Sequence, residues 1–359
     1  MAGGHAGRRV EFVRIVVRTD ASSQIGSGHV IRCLGLSDRL AASGHEIAFV
    51  CALHPGHLAD VVRSRGFVCY TIEPLLSQQD DAIATLAQLV IRPDLFIVDH
   101  YNLDYVMETI LRKQAQVMVI DDLADRPHDC DLLLDATHEA DAVDIYDALV
   151  PKSARRLVGL DYLMVRPEFA PHRGKPRSFA RVERLLVTFG GNDPADLSNR
   201  ALDALDLLGS DLHVDLLTGR SNPRHKQLVT RAREDERIDL HVQHPRPSDL
   251  MAKADLFLGA AGMTIWESCY LGLPSLFVKL AENQSNSAAI LYRHRAAKLI
   301  GFHETITASE IASELNHAIH DRDWRQITSA NAMNLVQGKG LDLVSAAIER
   351  FAAERRLER

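Results

Sequence analysis

Cysteine is scarce in this 359-residue chain. The five present, Cys33, Cys51, Cys69, Cys130 and Cys269, are odd in number and never spaced as Cys-x-x-Cys. That argues against a disulfide scaffold or a structural zinc site and suits reduced thiols in a cytoplasmic protein. Long apolar runs are missing too, since no stretch reaches the roughly 18 residues of a membrane span. Residues 1–9 hold glycines and two arginines with no apolar core behind them, so they read as a short disordered lead-in rather than a signal peptide. Positive charge is not in excess. A net charge of -7 and a pI near 6.2 argue against a nucleic-acid partner, while leaving room for a local electropositive cleft. The Gly-x-x-x-x-Gly-Lys-[Ser/Thr] phosphate loop, short repeats and low-complexity tracts are all absent.

Core-forming material is plentiful: 46% of residues are hydrophobic and 25% charged, in a chain long enough for two domains. Strand-like runs fall at residues 13–18, 46–51, 95–99, 117–121 and 132–135, then at 185–189, 213–218, 256–259 and 275–278. Amphipathic segments separate them, such as 30–42, which ends at Gly44, a plausible helix C-terminal glycine. This alternation predicts an α/β chain with parallel sheets covered on both faces. Segment 166–181 is rich in Pro, Arg and Lys and reads as a linker. The expected organisation is an N-terminal Rossmann-like domain at 1–165, a linker at 166–182 and a second such domain at 183–323. Helices at 324–359 would pack back across both.

Open parallel sheets bind ligands beyond the carboxyl ends of their strands, and the polar and glycine clusters fall there repeatedly. The first is the most informative: Arg18-Thr19-Asp20-Ala21-Ser22-Ser23-Gln24-Ile25-Gly26-Ser27-Gly28-His29-Val30-Ile31-Arg32-Cys33 runs from a strand through glycines into a helix. Glycines let the backbone turn close to a ligand, and a helix N-terminus favours anions. His29 alone could cap a helix or sit in the core; after Gly26 and Gly28 at a strand end it reads as a site residue. Asp99-His100-Tyr101 and Asp121-Asp122 end two further strands; either is a polar loop start, and the two aspartates suit a turn cap. Gly190-Gly191-Asn192-Asp193 and Gly262-Met263-Thr264 follow strands of the second half. Asn192, Asp193 and Pro194 also fit a plain helix start. Glu267, one turn into its helix, is either exposed or a ribose-binding carboxylate, with the amides of Gly262, Met263 and Thr264 holding phosphate. If both sheets face one another, all these clusters line one cleft. No dedicated metal-ligand spacing is seen, although Asp121-Asp122 could recruit a divalent ion.

The glycine run through Arg32-Cys33 resembles the opening signature of the UDP-sugar hydrolases of pseudaminic acid biosynthesis. The resemblance continues through Asp99-His100-Tyr101, Asp121-Asp122-Leu123-Ala124-Asp125-Arg126, Leu132-Leu133-Leu134-Asp135 and Arg166-Pro167-Glu168-Phe169. It extends through Thr188-Phe189-Gly190-Gly191-Asn192-Asp193-Pro194, Trp266-Glu267, Leu271-Gly272-Leu273-Pro274 and Glu282-Asn283-Gln284. Members are similar in fold to MurG-type glycosyltransferases, so it implies a GT-B arrangement of two Rossmann-like domains around a nucleotide-sugar cleft. It further implies hydrolysis of UDP-2,4-diacetamido-2,4,6-trideoxy-β-L-altropyranose at the anomeric C–O bond with inversion, without metal or cofactor. Carried onto this chain, His29 matches the general base, Tyr101 a substrate-contacting tyrosine, Glu267 a nucleotide-binding carboxylate, and Asn283 and Gln284 a sugar-facing polar pair. Imidazole in general titrates near neutrality, which suits a base that takes a proton from water. Arg32, Gly190 and Gly191 are expected to line the site as well. The chain departs from the family pattern at Ala260-Ala261-Gly262-Met263-Thr264, Asp135-Ala136-Thr137-His138 and Leu160-Asp161-Tyr162, changes that bear on the sugar pocket. A glycosyltransferase using a UDP-sugar donor and a non-catalytic UDP-sugar-binding subunit are the alternatives.

Overall fold

The computed structural model describes residues 12–357 apart from residue 76; the expected lead-in at residues 1–9 lies outside them. The first sheet holds β1 (Arg14–Thr19), β2 (Glu46–Ala52), β3 (Val68–Ile72), β4 (Leu95–Asp99), β5 (Gln116–Ile120), β6 (Leu132–Asp135) and β7 (Arg155–Val158), in spatial order β3-β2-β1-β4-β5-β6-β7. The second holds β8 (Arg184–Thr188), β9 (His213–Thr218), β10 (Ile238–Val242), β11 (Leu256–Ala260), β12 (Ser275–Lys279) and β13 (Lys298–Phe302), ordered β10-β9-β8-β11-β12-β13. Every pairing is parallel. β4 (LFIVD) and β6 (LLLD) are buried along their whole length, as strands covered by helices on both faces must be. In each sheet the strand order reverses beside the first strand, at β1/β4 and β8/β11, which opens a crevice at the carboxyl ends.

The helix Gly28–Ala42 follows β1 and buries Val30, Cys33, Leu34 and Leu40 against the first sheet. Gly44, at φ +92°, makes the left-handed turn after it. The helix Arg322–Leu335 lies on the second domain, where Ser329 Oγ donates to the Gly272 carbonyl. The helix Gly340–Leu357 returns to the first, placing Leu341, Val344 and Ile348 in the core shared with Val30 and Leu34. The chain therefore crosses between domains twice. The crossings touch at Gly340, where a Cβ would lie 2.1 Å from the Leu163 carbonyl oxygen.

Segment 166–181 is not a free tether. Phe169 is buried. Arg173 donates to the carbonyls of Tyr270 (2.7 Å), Val336 (2.8 Å) and Met333 (3.0 Å), and Arg177 to those of Ala254 (2.6 Å), Met251 (3.0 Å) and Leu271 (3.1 Å). These carbonyls lie at the C-terminal ends of the helices Met263–Tyr270, Arg322–Leu335 and Pro247–Lys253. The arginines that suggest a solvated linker satisfy orphan carbonyls at three negative helix ends, fastening the segment to the second domain.

Candidate active site

The loop after β1 is shaped by its own side chains. Ser22 Oγ accepts from the amides of Gln24 (3.1 Å) and Ile25 (2.9 Å), and Gly26 turns at φ +83°. Gly28 then opens the helix, so His29 enters its first turn and Arg32 lies three residues on, on the same face. Both point to the end of β4, which is β1's neighbour.

There Asp99, fully buried, is the hub. Its Oδ1 is 2.6 Å from His29 Nδ1, while Arg32 grips both oxygens at 2.6 Å through Nε and Nη2, and Cys33 Sγ approaches at 3.3 Å. Burial pushes the Asp99 carboxyl up, but the charges and hydrogen bonds of Arg32 and His29 together outweigh it and hold the group well below the usual carboxylate range. An ionised carboxylate only accepts, so Nδ1 of His29 carries the proton and Nε2 is the basic nitrogen of the neutral ring. Nε2 makes no hydrogen bond to any described residue.

Arg32 Nη1 extends to Asp122 after β5, at 2.7 and 2.8 Å. Tyr101 sets its ring edge against His29, with centroids 4.4 Å apart, and donates its hydroxyl to Asp122 at 3.2 Å. Burial and the Asp122 charge push the Tyr101 phenol up, so it remains a neutral donor. The adjacent aspartates divide their duties. Asp121 accepts from the Ala124 amide (2.8 Å) and the Tyr146 hydroxyl (3.0 Å), the expected turn-capping role, whereas Asp122 belongs to the site. Asp121 is also paired to Arg126 at 2.9 Å, so each of the two aspartates has its own arginine. Among the described residues, His213, Asp215 and Asp239 are close enough together to ligate a cation. They sit at the amino ends of β9 and β10, away from the cleft, and Arg184 already pairs with both carboxylates.

The second domain presents its glycine turns from the opposite side. Gly190 adopts φ +88°, and Gly191 lies so close to Gly219 that a Cβ on the latter would meet the Gly191 carbonyl at 2.6 Å. Asn192 donates across the cleft to the Ser23 carbonyl at 2.7 Å and accepts from Ser221, so it joins the two domains. Asp193 accepts from the amides of Leu197 (3.0 Å) and Ser198 (2.7 Å), which is the plain helix-start role. Gly262 precedes the helix Met263–Tyr270 with no side-chain cap, and no atom lies within 4 Å of where its Cβ would be.

Glu267 is buried, not exposed, and Arg166 holds both its oxygens, at 2.5 Å (Nε–Oε1) and 2.8 Å (Nη2–Oε2). The carboxylate is therefore paired with the partly buried Arg166 guanidinium. Asn283 reaches Tyr101 from the other domain, favouring its ionised form against burial, and its own Oδ1 is buried without a hydrogen-bond partner. Gln284 is redirected. Its side-chain oxygen accepts from the Leu280 amide at 2.9 Å and closes its own turn. The structure therefore gathers His29, Arg32 and Tyr101 directly, faces them with Asn283, and gives Asn192, Gln284 and Glu267 partners within the protein. Asp99, Asp122, Arg166, His138 and Asn286 are site-lining groups not singled out as candidates. For the two aspartates the available signal was their place at strand ends.

Two parallel sheets of this order, facing across a cleft, define a GT-B fold, and residues 184–340 match the glycosyltransferase family 28 C-terminal domain. Acinetobacter baumannii MurG superposes with a TM-score of 0.62 at 14% identity, over 94% of this chain and 99% of that one. Arabidopsis thaliana UGT89C1 complexed with UDP gives a TM-score of 0.62 at 12% identity, over 93% and 99%. The resemblance read from the motifs is borne out in sequence. The chain is 26% identical over 282 residues to the UDP-2,4-diacetamido-2,4,6-trideoxy-beta-L-altropyranose hydrolase of Campylobacter jejuni, covering 78% of this chain and 96% of that protein. Among the described residues no helix is long and apolar enough to cross a membrane.

Proposed function

We propose that this chain is a UDP-sugar hydrolase that cleaves the anomeric C–O bond of UDP-2,4-diacetamido-2,4,6-trideoxy-β-L-altropyranose with inversion, in pseudaminic acid biosynthesis. The observation that carries the reading is the His29–Asp99 pair, with Nδ1 bound to a buried carboxylate and Nε2 left without a partner among the described residues. In that arrangement Nε2 takes a proton from water as the water oxygen bonds to the anomeric carbon. The carbon–oxygen bond to UDP breaks, and the electron pair leaves on the diphosphate. Asp99 fixes the ring and stabilises the imidazolium that forms. The uncapped amides at Gly262, Met263 and Thr264, and the turn at Gly190 and Gly191, suit the diphosphate, where fixed N–H groups stabilise leaving charge without a cation. Inversion asks for water on the face opposite the leaving group, and a base on the first domain with diphosphate donors on the second suits that arrangement. The five cysteines, all buried and unbridged, suit a cytoplasmic setting.

A transferase is the second reading, favoured by the family 28 match. It uses the same cleft and base, with an acceptor hydroxyl replacing water. His29→Ala tests the shared chemistry. Turnover is expected to fall about 100-fold or more, the range of general base catalysis, while calorimetry finds UDP affinity unchanged. Near-full activity in this variant would remove His29 from the mechanism and point to another base, whereas UDP binding with no turnover in the unaltered chain would favour a non-catalytic binding subunit.

A further inference from the structure

Arg18 and Asp20, before the glycine loop, and His100, between Asp99 and Tyr101, take no part in the chemistry above. Arg18 is fully buried and held between two carboxylates. It donates to Asp20 at 2.6 Å (Nη1–Oδ1) and 2.9 Å (Nη2–Oδ2). It donates as well to Asp81, in the helix Gln78–Ala87, at 2.8 Å (Nε–Oδ1) and 2.6 Å (Nη2–Oδ2). Asp20 Oδ1 also accepts from the amide of Ala52, the last residue of β2, at 2.7 Å. Burial pushes the Asp20 carboxyl up, but the His100 and Arg18 contacts outweigh it and hold the group well below the usual carboxylate range. Paired, charge-assisted bonds of this kind make Arg18 with its two aspartates a rigid fixture.

His100 faces that fixture. β1 and β4 are paired with Thr19 opposite Asp99, so Asp20 and His100 are each the next residue along. The His100 ring is buried, and Nδ1 accepts from the Asn102 amide at 2.9 Å, so the proton of the neutral ring sits on Nε2. Nε2 makes no hydrogen bond of normal geometry to the described residues, and Asp20 Oδ2 lies 3.4 Å from it. The partly exposed His54 has its Nε2 3.6 Å from the same oxygen. An N–H that close to a buried carboxylate is attracted to it, because little solvent screens the pair. The backbone here is gripped too, since Arg126 donates to the carbonyls of His100 (3.1 Å) and Leu103 (3.2 Å).

Resting on the hydrolase reading above, we infer that His100 is a positioning residue: through Asp20 and the Arg18 fixture it fixes the backbone between Asp99 and Tyr101. Those two neighbours set the His29 ring, Asp99 through Nδ1 and Tyr101 through its ring edge. A shift of the His100 backbone moves both, and with them Nε2 of His29.

The test is steady-state kinetics with UDP-2,4-diacetamido-2,4,6-trideoxy-β-L-altropyranose, beside calorimetry with UDP, on two variants that separate the ring's two contacts. His100→Asn keeps an acceptor at the reach of Nδ1 and removes the N–H that faces Asp20. His100→Gln keeps an N–H at the reach of Nε2 and removes the acceptor. His100→Asn is expected to lower kcat about tenfold or more, within the ~100-fold cost of an ångström's misplacement, with UDP affinity unchanged. His100→Gln is expected to recover most of that loss. A loss in His100→Gln as large as in His100→Asn, or larger, would show that the Asp20 contact is not what matters. Unchanged kcat in His100→Asn would leave the ring outside the mechanism, and a fall in UDP affinity matching the fall in kcat would mark a general defect of the fold. Each of these results overturns the inference alone. No turnover by the unaltered chain would overturn the hydrolase reading and this inference together.

Discussion

At the scale of single residues, the account turns on Asp99 as much as on His29. Asp99 touches no solvent and joins the imidazole, the guanidinium of Arg32 and the thiol of Cys33 at one carboxylate. Asp99→Asn preserves the shape but removes the charge, leaving Arg32 with Asp122 alone and presenting His29 with an amide in place of an anion. We expect kcat to fall by about 100-fold or more. UDP affinity should hold, because the proposed diphosphate groups lie on the other domain. Unchanged kcat across the pH profile would show Asp99 to be structural only. His29 and Arg32 were legible because three residues of one helix fix their relation. Their partners were less so: nothing local separates Asp122 from Asp121, and only the adjacency of β1, β4 and β5 decides which aspartate meets Arg32. Glu267 shows the same limit, since the Arg166 side chain that engages it is brought by tertiary approach rather than by spacing.

At the scale of elements, nine strands were read from the sequence and four were not: β3, β7, β10 and β13. All four are sheet edges. Central strands are buried on both faces and stand out as apolar runs, whereas an edge is half solvated and carries polar side chains, as in RRLV of β7 or IDLHV of β10. Segment 166–181 misled for a related reason, since arginines that cap helix ends look the same in sequence as arginines in water. The stretch between β5 and β6 carries a pH-sensitive tie. His128 is buried with Nδ1 2.7 Å from Glu108 on the helix Tyr105–Arg112, and Asp121 lies 3.8 Å from Nε2. Burial opposes its charge, but the nearby Asp121 and Glu108 carboxylates, with the hydrogen bond to Glu108, prevail and raise its pKa from 6.5 to about 9. The folded state then holds a proton that the unfolded chain releases. The stabilisation is complete below pH 6.5 and is lost as pH rises through about 9. Denaturant unfolding from pH 6 to 10 should show this fall in the native chain and a flatter dependence in His128→Gln; equal slopes would contradict the assignment.

At the scale of the whole molecule, two domains meet through few but specific contacts: Asn192 with Ser23, His138 with Asn286, and Glu139 with Arg293 and His294. Two chain crossings, pinned where Gly340 meets Leu163, add to them. That arrangement holds a base on one side and phosphate-binding amides on the other, and the central claim is that water is the acceptor between them. The direct measurement is time-resolved proton NMR of the chain with UDP-2,4-diacetamido-2,4,6-trideoxy-β-L-altropyranose, in chelator and without any acceptor. The account predicts that UDP appears together with free sugar of inverted anomeric configuration. A folded, UDP-binding chain that leaves the spectrum unchanged would contradict it.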